Sequence, residues 1–271
     1  MDTIRDHLWL WGQSPGTHHL QNNNAFCLPG ENRMTPLEGA YYLGIPNMCR
    51  VVFVGHPKIP YDREAIVLDT MDRVVWSIAD YGDMDRPDDG DADVREVIRQ
   101  ARLHSNVTGV IMDDFFVEKD HLEKYPPAKI TQYKQQLNAG VGRPMELWVV
   151  TYVHQLNEPI QEHLQLCDVI TMWTWDAKDL VHLEENLAQL QQLCPDKRIF
   201  AGCYMWDYGG HCEIPEELMR YQLETYYAWI KSGEIDGIIF CSNCVADLGI
   251  PAVETARQWI RDYGKEMIQR V

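Results

Sequence analysis

Two adjacent carboxylates, Asp113 and Asp114, directly follow the apolar run Val107-Thr108-Gly109-Val110-Ile111-Met112. In that position desolvation and mutual repulsion push the two pKa values apart, so that one carboxyl stays protonated as an acid while another stays ionised. Such a division of labour suits general acid catalysis assisted by a nucleophile or a base. Successive residues of an undistorted strand face opposite ways, so one of the pair should enter a site and the other should be structural, accepting backbone N–H groups or a cation. A further carboxylate is then needed across the bond to be cleaved. Asp207 in Trp206-Asp207-Tyr208 and Asp176 in Trp175-Asp176 are the candidates, with Asp80 third. Their competing structural roles are an N-cap for Asp176 and a loop Asx-turn for Asp207.

The elements that must position these residues follow from the alternation of short apolar runs with longer amphipathic segments. The runs are Leu8–Trp11, Arg50–Val54, Val74–Ala79, Val107–Met112, Leu147–Val153, Val169–Trp175, Ile199–Trp206 and Ile238–Cys241. Helices are expected from Thr35-Pro36, where Thr35 is the N-cap and Pro36 opens the first turn, over Asp62–Met71, and on the face Val94, Val97, Ile98 and Ala101. Others are expected over Ala128–Leu137, Pro159–Leu166, Leu180–Leu193, Pro215–Ser232 and from Pro251 to about Gln269. Strands that are continuously apolar belong to parallel sheets covered on both faces. Eight such strands, each followed by a helix, make an α/β chain folded as one (β/α)8 TIM barrel over residues 1–271. The alternative, an open doubly wound sheet, has five or six units in most cases.

In that fold the reacting groups stand at the carboxyl ends of the strands. Strand one delivers Trp11, Gln13 and then His18-His19; strand two, His56; strand three, Trp76, Ser77 and Asp80; strand four, Asp113 to Phe116. Strand five delivers Tyr152 and His154, strand six Trp173, Trp175 and Asp176, strand seven Tyr204, Trp206, Asp207 and Tyr208, and strand eight Ser242-Asn243. Indole and phenol rings stack on the C–H faces of a sugar, while carboxylates and amides bond its hydroxyls. The expected binding set is therefore Trp11, Gln13, His56, Trp76, Asp80, Phe116, Tyr152, His154, Trp173, Trp175, Tyr204, Trp206 and Asn243, around a neutral small-molecule or oligosaccharide substrate.

Other classes are disfavoured. A net charge of −17 with no Lys/Arg cluster beyond a pair speaks against nucleic acid and against anionic membranes. No apolar run approaches the roughly 20 residues of a membrane span. No lysine lies in an expected strand, and Lys58 and Lys178 fall in loops, so a Schiff-base aldolase lacks its amine. The motifs GxGxxG, GxxxxGK[ST], GxSxG and HExxH are missing. No cofactor and no resident metal is expected. Cys241-Ser242-Asn243-Cys244 with Cys203 and Cys212 could form a thiolate zinc site, but Cys241 reads as a small hydrophobe in a strand. The start, Met1 to Arg5, lacks a signal-peptide pattern. A cytoplasmic protein is expected if Met1 is the native start, and a secreted or periplasmic one if a signal has been removed. The sequence carries no signal for an oligomeric state.

Val-Ile-Met-Asp-Asp-Phe-Phe closing strand four, Val-Val-Trp-Ser-Ile closing strand three and the tryptophan-rich strands six and seven make the chain resemble the glycoside-hydrolase-like (β/α)8 superfamily, most of all its uncharacterised bacterial glycosyl hydrolases. The resemblance implies that Asp113 or Asp114 serves as acid/base or nucleophile. By similarity to the alpha-galactosidase-like clan its partner would be Asp176. The large retaining clan instead pairs glutamates of strands four and seven, where this chain has aspartates, and the chitinase-like DxxDxDxE is absent, with Phe116 where its last carboxylate would stand. Two alternatives stay open. One is a divalent-metal barrel isomerase or hydrolase using His18, His19, His56, His154, Asp80 and Asp113; the other is a non-catalytic carbohydrate-binding barrel.

Overall fold

Eight parallel strands close on themselves in sequence order, each hydrogen-bonded to the next and β8 to β1. They are β1 (Leu8–Gly12), β2 (Asn47–Arg50), β3 (Arg73–Ser77), β4 (Val107–Met112), β5 (Glu146–Tyr152), β6 (Val169–Trp173), β7 (Arg198–Tyr204) and β8 (Gly237–Cys241). The computed structural model describes residues 2–79 and 90–268. The expected (β/α)8 TIM barrel is the fold of this chain.

Register decides which side chains fill the barrel. Trp9 of β1 meets Trp148 of β5 at 4.7 Å between ring centroids, and Trp148 meets Phe200 of β7 at 4.6 Å. Strands one and five stand on opposite sides of the ring, so these indoles can touch only through its interior. They form a layer contributed by odd-numbered strands. Two residues on, and therefore on the same face, Trp11 reaches Trp173 of β6 at 5.3 Å. The wide Trp173 ring is admitted because β7 offers Gly202 opposite it; a Cβ there would collide with the indole.

The other face of each strand packs on the helices. Trp76 of β3 lies flat on Tyr61 at 4.5 Å with 2° between the planes, and the Tyr61 hydroxyl donates to Asp93 of the helix Asp91–Leu103. Arg50 is fully buried here, its donors taken by Glu64, by the carbonyls of Gly12 and Val51, and by Ser14 Oγ. The helix Pro36–Leu43 opens with the expected Thr35 cap, whose hydroxyl accepts from the amide of Glu38.

Strand two departs from expectation. The apolar run Arg50–Val54 predicts it, but the ladder uses Asn47–Arg50 and stops before the valines. The polar residues of that segment are individually accommodated: Asn47 donates to the carbonyls of Asp6 and Leu8 and so braces the barrel floor, and Arg50 is paired in the helical layer. Val54, at φ 51°, and a bridge between Phe53 and His56 then turn the chain away. Smaller differences follow the same pattern: the expected helix from Leu180 is a 3-10 stretch Ala177–His182 continued as the helix Leu183–Leu193, and the last helix ends at Tyr263.

Gly202→Ala tests the interior layer directly. Overpacking against Trp173 is expected to cost about 1–3 kcal/mol, read as a lower urea midpoint at unchanged slope. An unchanged midpoint would show that the ring has room to move.

Candidate active site

A cavity of about 270 Å³ opens at the carboxyl ends of the strands. Its floor is Trp11, Trp173, Val150 and Cys241, its walls Tyr152, Trp175, Tyr204 and Tyr208, and its flank Gln13, His18, Gln21, Phe26 and Phe53 from the loops after β1 and β2. The remaining two lining residues are Asp113 and Asp114. Both carboxylates therefore face one space, where strand alternation predicts one. Asp113 continues the inward face through Ile111, which is level with Trp148. Asp114 should point outward, but its backbone leaves the strand at φ 48°, a left-handed conformation that few residues other than Gly, Asn and Asp tolerate. That turn swings the second carboxylate back into the cavity.

Tyr152 holds it there, donating its hydroxyl to Asp114 Oδ1 at 2.6 Å. Burial raises the Asp114 pKa above the ordinary carboxylate value, and the tyrosine bond offsets part of that rise. Asp113 is enclosed as well, at 8% exposure. The Tyr152, Tyr204 and Tyr208 hydroxyls are pushed well above the usual phenol value, chiefly by burial, and stay protonated donors.

The opposite flank is a neutral hydrogen-bonded relay. Asn243 is fully buried and clasps the Gln13 backbone, donating to its carbonyl at 2.9 Å and accepting from its amide at 2.9 Å. The Gln13 carboxamide oxygen accepts from His18 Nε2, and with that proton placed, His18 Nδ1 accepts from the Tyr208 hydroxyl at 3.0 Å. Burial lowers the His18 pKa to about 3, so the imidazole is uncharged at neutral pH. Among the described residues no lysine or arginine lines the cavity. Its chemistry is that of two carboxylates among rings, hydroxyls and amides.

Of the residues expected from the sequence, Trp11, Gln13, Asp113, Asp114, Tyr152, Trp173, Trp175 and Tyr204 come together here. Others stand apart. Trp76 and Phe116 face the helical layer, Phe116 packed edge-on to Phe115 at 5.2 Å. Asn243 acts from behind Gln13, and Trp206 donates its indole N–H to the Phe26 carbonyl at 3.0 Å. His154 is exposed and stacks on Tyr152 at 5.5 Å, and His56 is exposed on the displaced turn after β2. Asp176 sits beside Gly209, with Lys178 at 3.6 Å, and Asp207 Oδ1 accepts from the amides of Ala177 and Gly210, tying the β6 loop to the β7 loop. Neither lines the cavity. Asp80 lies outside the described residues.

The metal alternative needs its histidines at one mouth, and His56 and His154 are outside it. Cys212 is exposed while Cys203, Cys241 and Cys244 are buried, and among the described residues no three metal-binding side chains converge. Beyond the expected binding set the cavity is lined by His18 and Tyr208, which the sequence places at strand ends, and by residues it did not single out for the site: Gln21, Phe26 and Phe53 from loops, and Val150 and Cys241. The last two carried a signal, since each stands two residues before, or at, an inward-facing strand end. A wider depression at the other end of the barrel is crossed by the ion pairs Lys134–Asp168 at 2.7 Å and Arg198–Glu146 at 2.8 Å, as suits a stabilising face.

With this geometry established, solved structures can be set beside it. A GH113 β-1,4-mannanase aligns over 96% of this chain and 99% of its own, at TM-score 0.55 and 13% identity. The GH99 endo-α-mannosidase from Bacteroides thetaiotaomicron aligns over 96% and 98%, at TM-score 0.59 and 10% identity. What these structures share with the chain is the (β/α)8 barrel fold. Tryptophan synthase from Pyrococcus furiosus also aligns, at TM-score 0.52 and 10% identity, so likeness at this level speaks for architecture and the chemistry must be argued from the site. No family model and no curated protein matches the sequence. Among the described residues no helix is long and apolar enough to cross a membrane.

The buried histidine makes a testable contribution to stability. The unfolded imidazole binds its proton near pH 6.5 and the folded one only near 3, so between those values the unfolded chain holds more protons and stability falls as pH falls. His18→Gln should flatten this part of the stability profile by on the order of 1 kcal/mol per pH unit. Parallel profiles for the two proteins would show that His18 charges freely in the folded state.

Proposed function

We propose that this protein is a glycoside hydrolase acting on a neutral carbohydrate, with Asp114 as general acid and Asp113 as its partner carboxylate. The observation that carries the reading is the convergence of both carboxylates in one aromatic-lined cavity free of lysine and arginine among the described residues. A phosphorylated or carboxylated substrate would meet two carboxylates with no cation among the described lining residues to pair with. A sugar ring instead finds indole and phenol faces for its C–H surfaces and polar groups such as the Gln13 amide for its hydroxyls.

The roles follow from environment. Burial raises the Asp114 pKa, which favours its protonated form, so Asp114 is assigned the proton that goes to the leaving glycosidic oxygen. Asp113 faces the positive charge that develops on the ring carbon and oxygen as that bond breaks. It acts as nucleophile where the anomeric configuration is retained, or as base toward a water where it is inverted. Tyr152 is a positioning residue that fixes the Asp114 rotamer and keeps its pKa from rising further. The glycosidase structures that share this barrel are consistent with the reading.

Turnover of the preferred aryl glycoside should fall by about 10²–10⁴-fold in Asp113→Asn and in Asp114→Asn, with the folded structure intact by circular dichroism. Full activity in both variants would remove the pair from the mechanism. Because the acid must be protonated, kcat/KM declines as pH rises through the Asp114 pKa. Tyr152→Phe deletes a bond that favours the ionised form, so this alkaline limb should move to higher pH. Movement to lower pH would reverse the assignment of the acid.

A further inference from the structure

Resting on the glycosidase reading, we infer that the cavity accepts a single sugar ring at the non-reducing end of its substrate, and that the enzyme releases one residue at a time rather than cutting within a chain. The volume is the first support. About 270 Å³ lies just below the roughly 300–1,000 Å³ range of small-molecule sites, room for one ring and its substituents. Enclosure is the second. The floor is shut by Trp11 against Trp173, 5.3 Å apart, so a ring cannot pass deeper into the barrel. Above it, the loop after β1 is drawn across to the loops after β6 and β7: the Trp206 indole donates to the Phe26 carbonyl at 3.0 Å, and the Phe26 ring stands edge-on to Tyr208 at 5.0 Å and to Trp175 at 6.2 Å. A chain threading through the site would have to displace this strap.

Polarity of the bound sugar follows from the chemistry. Both carboxylates line the enclosed space, so the ring held there is the one whose anomeric carbon reacts. Its leaving group, the rest of the chain, must then project through the opening into solvent. A ring bound at its anomeric carbon, with the far side shut by this floor and strap among the described residues, is a non-reducing terminus.

The experiment is a panel of p-nitrophenyl glycosides of the common neutral hexoses, pentoses and 2-acetamido-hexoses in both anomeric forms, followed by reducing-end-labelled hexasaccharides of each sugar that is turned over. Monosaccharide and a labelled product one ring shorter, from the earliest time point, are expected. Labelled fragments of middle length at low conversion would overturn the inference and leave the glycosidase reading standing; no turnover of any glycoside or hexasaccharide would overturn that reading and the inference with it. Binding gives an independent readout: Asp114→Asn should hold the terminal disaccharide and the hexasaccharide with affinities within about threefold, about 0.7 kcal/mol. An affinity that climbs tenfold or more with chain length would reveal further ring sites and contradict a one-ring pocket. Phe26→Ala, which removes the strap's ring, should raise the share of internal cuts.

Discussion

The site depends on one backbone departure: the left-handed turn at Asp114, which ends β4 and brings two consecutive carboxylates to the same side of the chain. Such a conformation is costly for a residue with a Cβ, though Asp bears it better than most. Here it is met by the Tyr152 hydroxyl on Asp114 Oδ1 and by the packing of Phe115, fully buried among His121, Tyr125 and His163 in the helical layer. The residue after the turn is thus anchored outward while the turn itself faces inward. A regular strand would have delivered one acid and one helix-facing side chain.

The other described residues that line the cavity keep that pair effective by withholding charge. His18 sits where it could have become a cation, but burial, helped by the neighbouring His19, holds it neutral, and the three tyrosines keep their protons. A nearby fixed positive charge would lower the Asp114 pKa and remove the proton that the proposed reaction needs. The chain's acidity, with a net charge of −17, is mostly a surface property; its chemical consequence is concentrated in two residues enclosed by rings.

The barrel was legible because its strands are nearly continuous apolar runs separated by amphipathic segments, one of which opens on a readable cap at Thr35-Pro36. It was misread where a strand is built from Asn47, Cys49 and Arg50, whose polar groups are satisfied by specific partners that no periodicity reveals. At the site, strand ends found the acids and most of the rings, since Trp11, Tyr152, Trp173 and Tyr204 share the inward parity of β1, β5, β6 and β7. Parity also explains the misplaced ones: Trp76 is of the outward set, on Tyr61. The loop residues Gln21, Phe26 and Phe53 could not be found from strand ends, because their position depends on tertiary ties such as Trp206 to Phe26. Asp176 and Asp207, chosen for their flanking rings, stand among loop contacts, where Asp207 satisfies backbone amides.

The central claim is that Asp114 is an acid whose pKa is raised by burial, side by side with Asp113 in one cavity. A carbon-13 titration of the carboxyls in aspartate-labelled protein tests it most directly. The account predicts an aspartate signal that titrates above the ordinary carboxylate range and vanishes in Asp114→Asn. If every aspartate titrates in the ordinary range, or if the high signal survives that substitution, the account is contradicted.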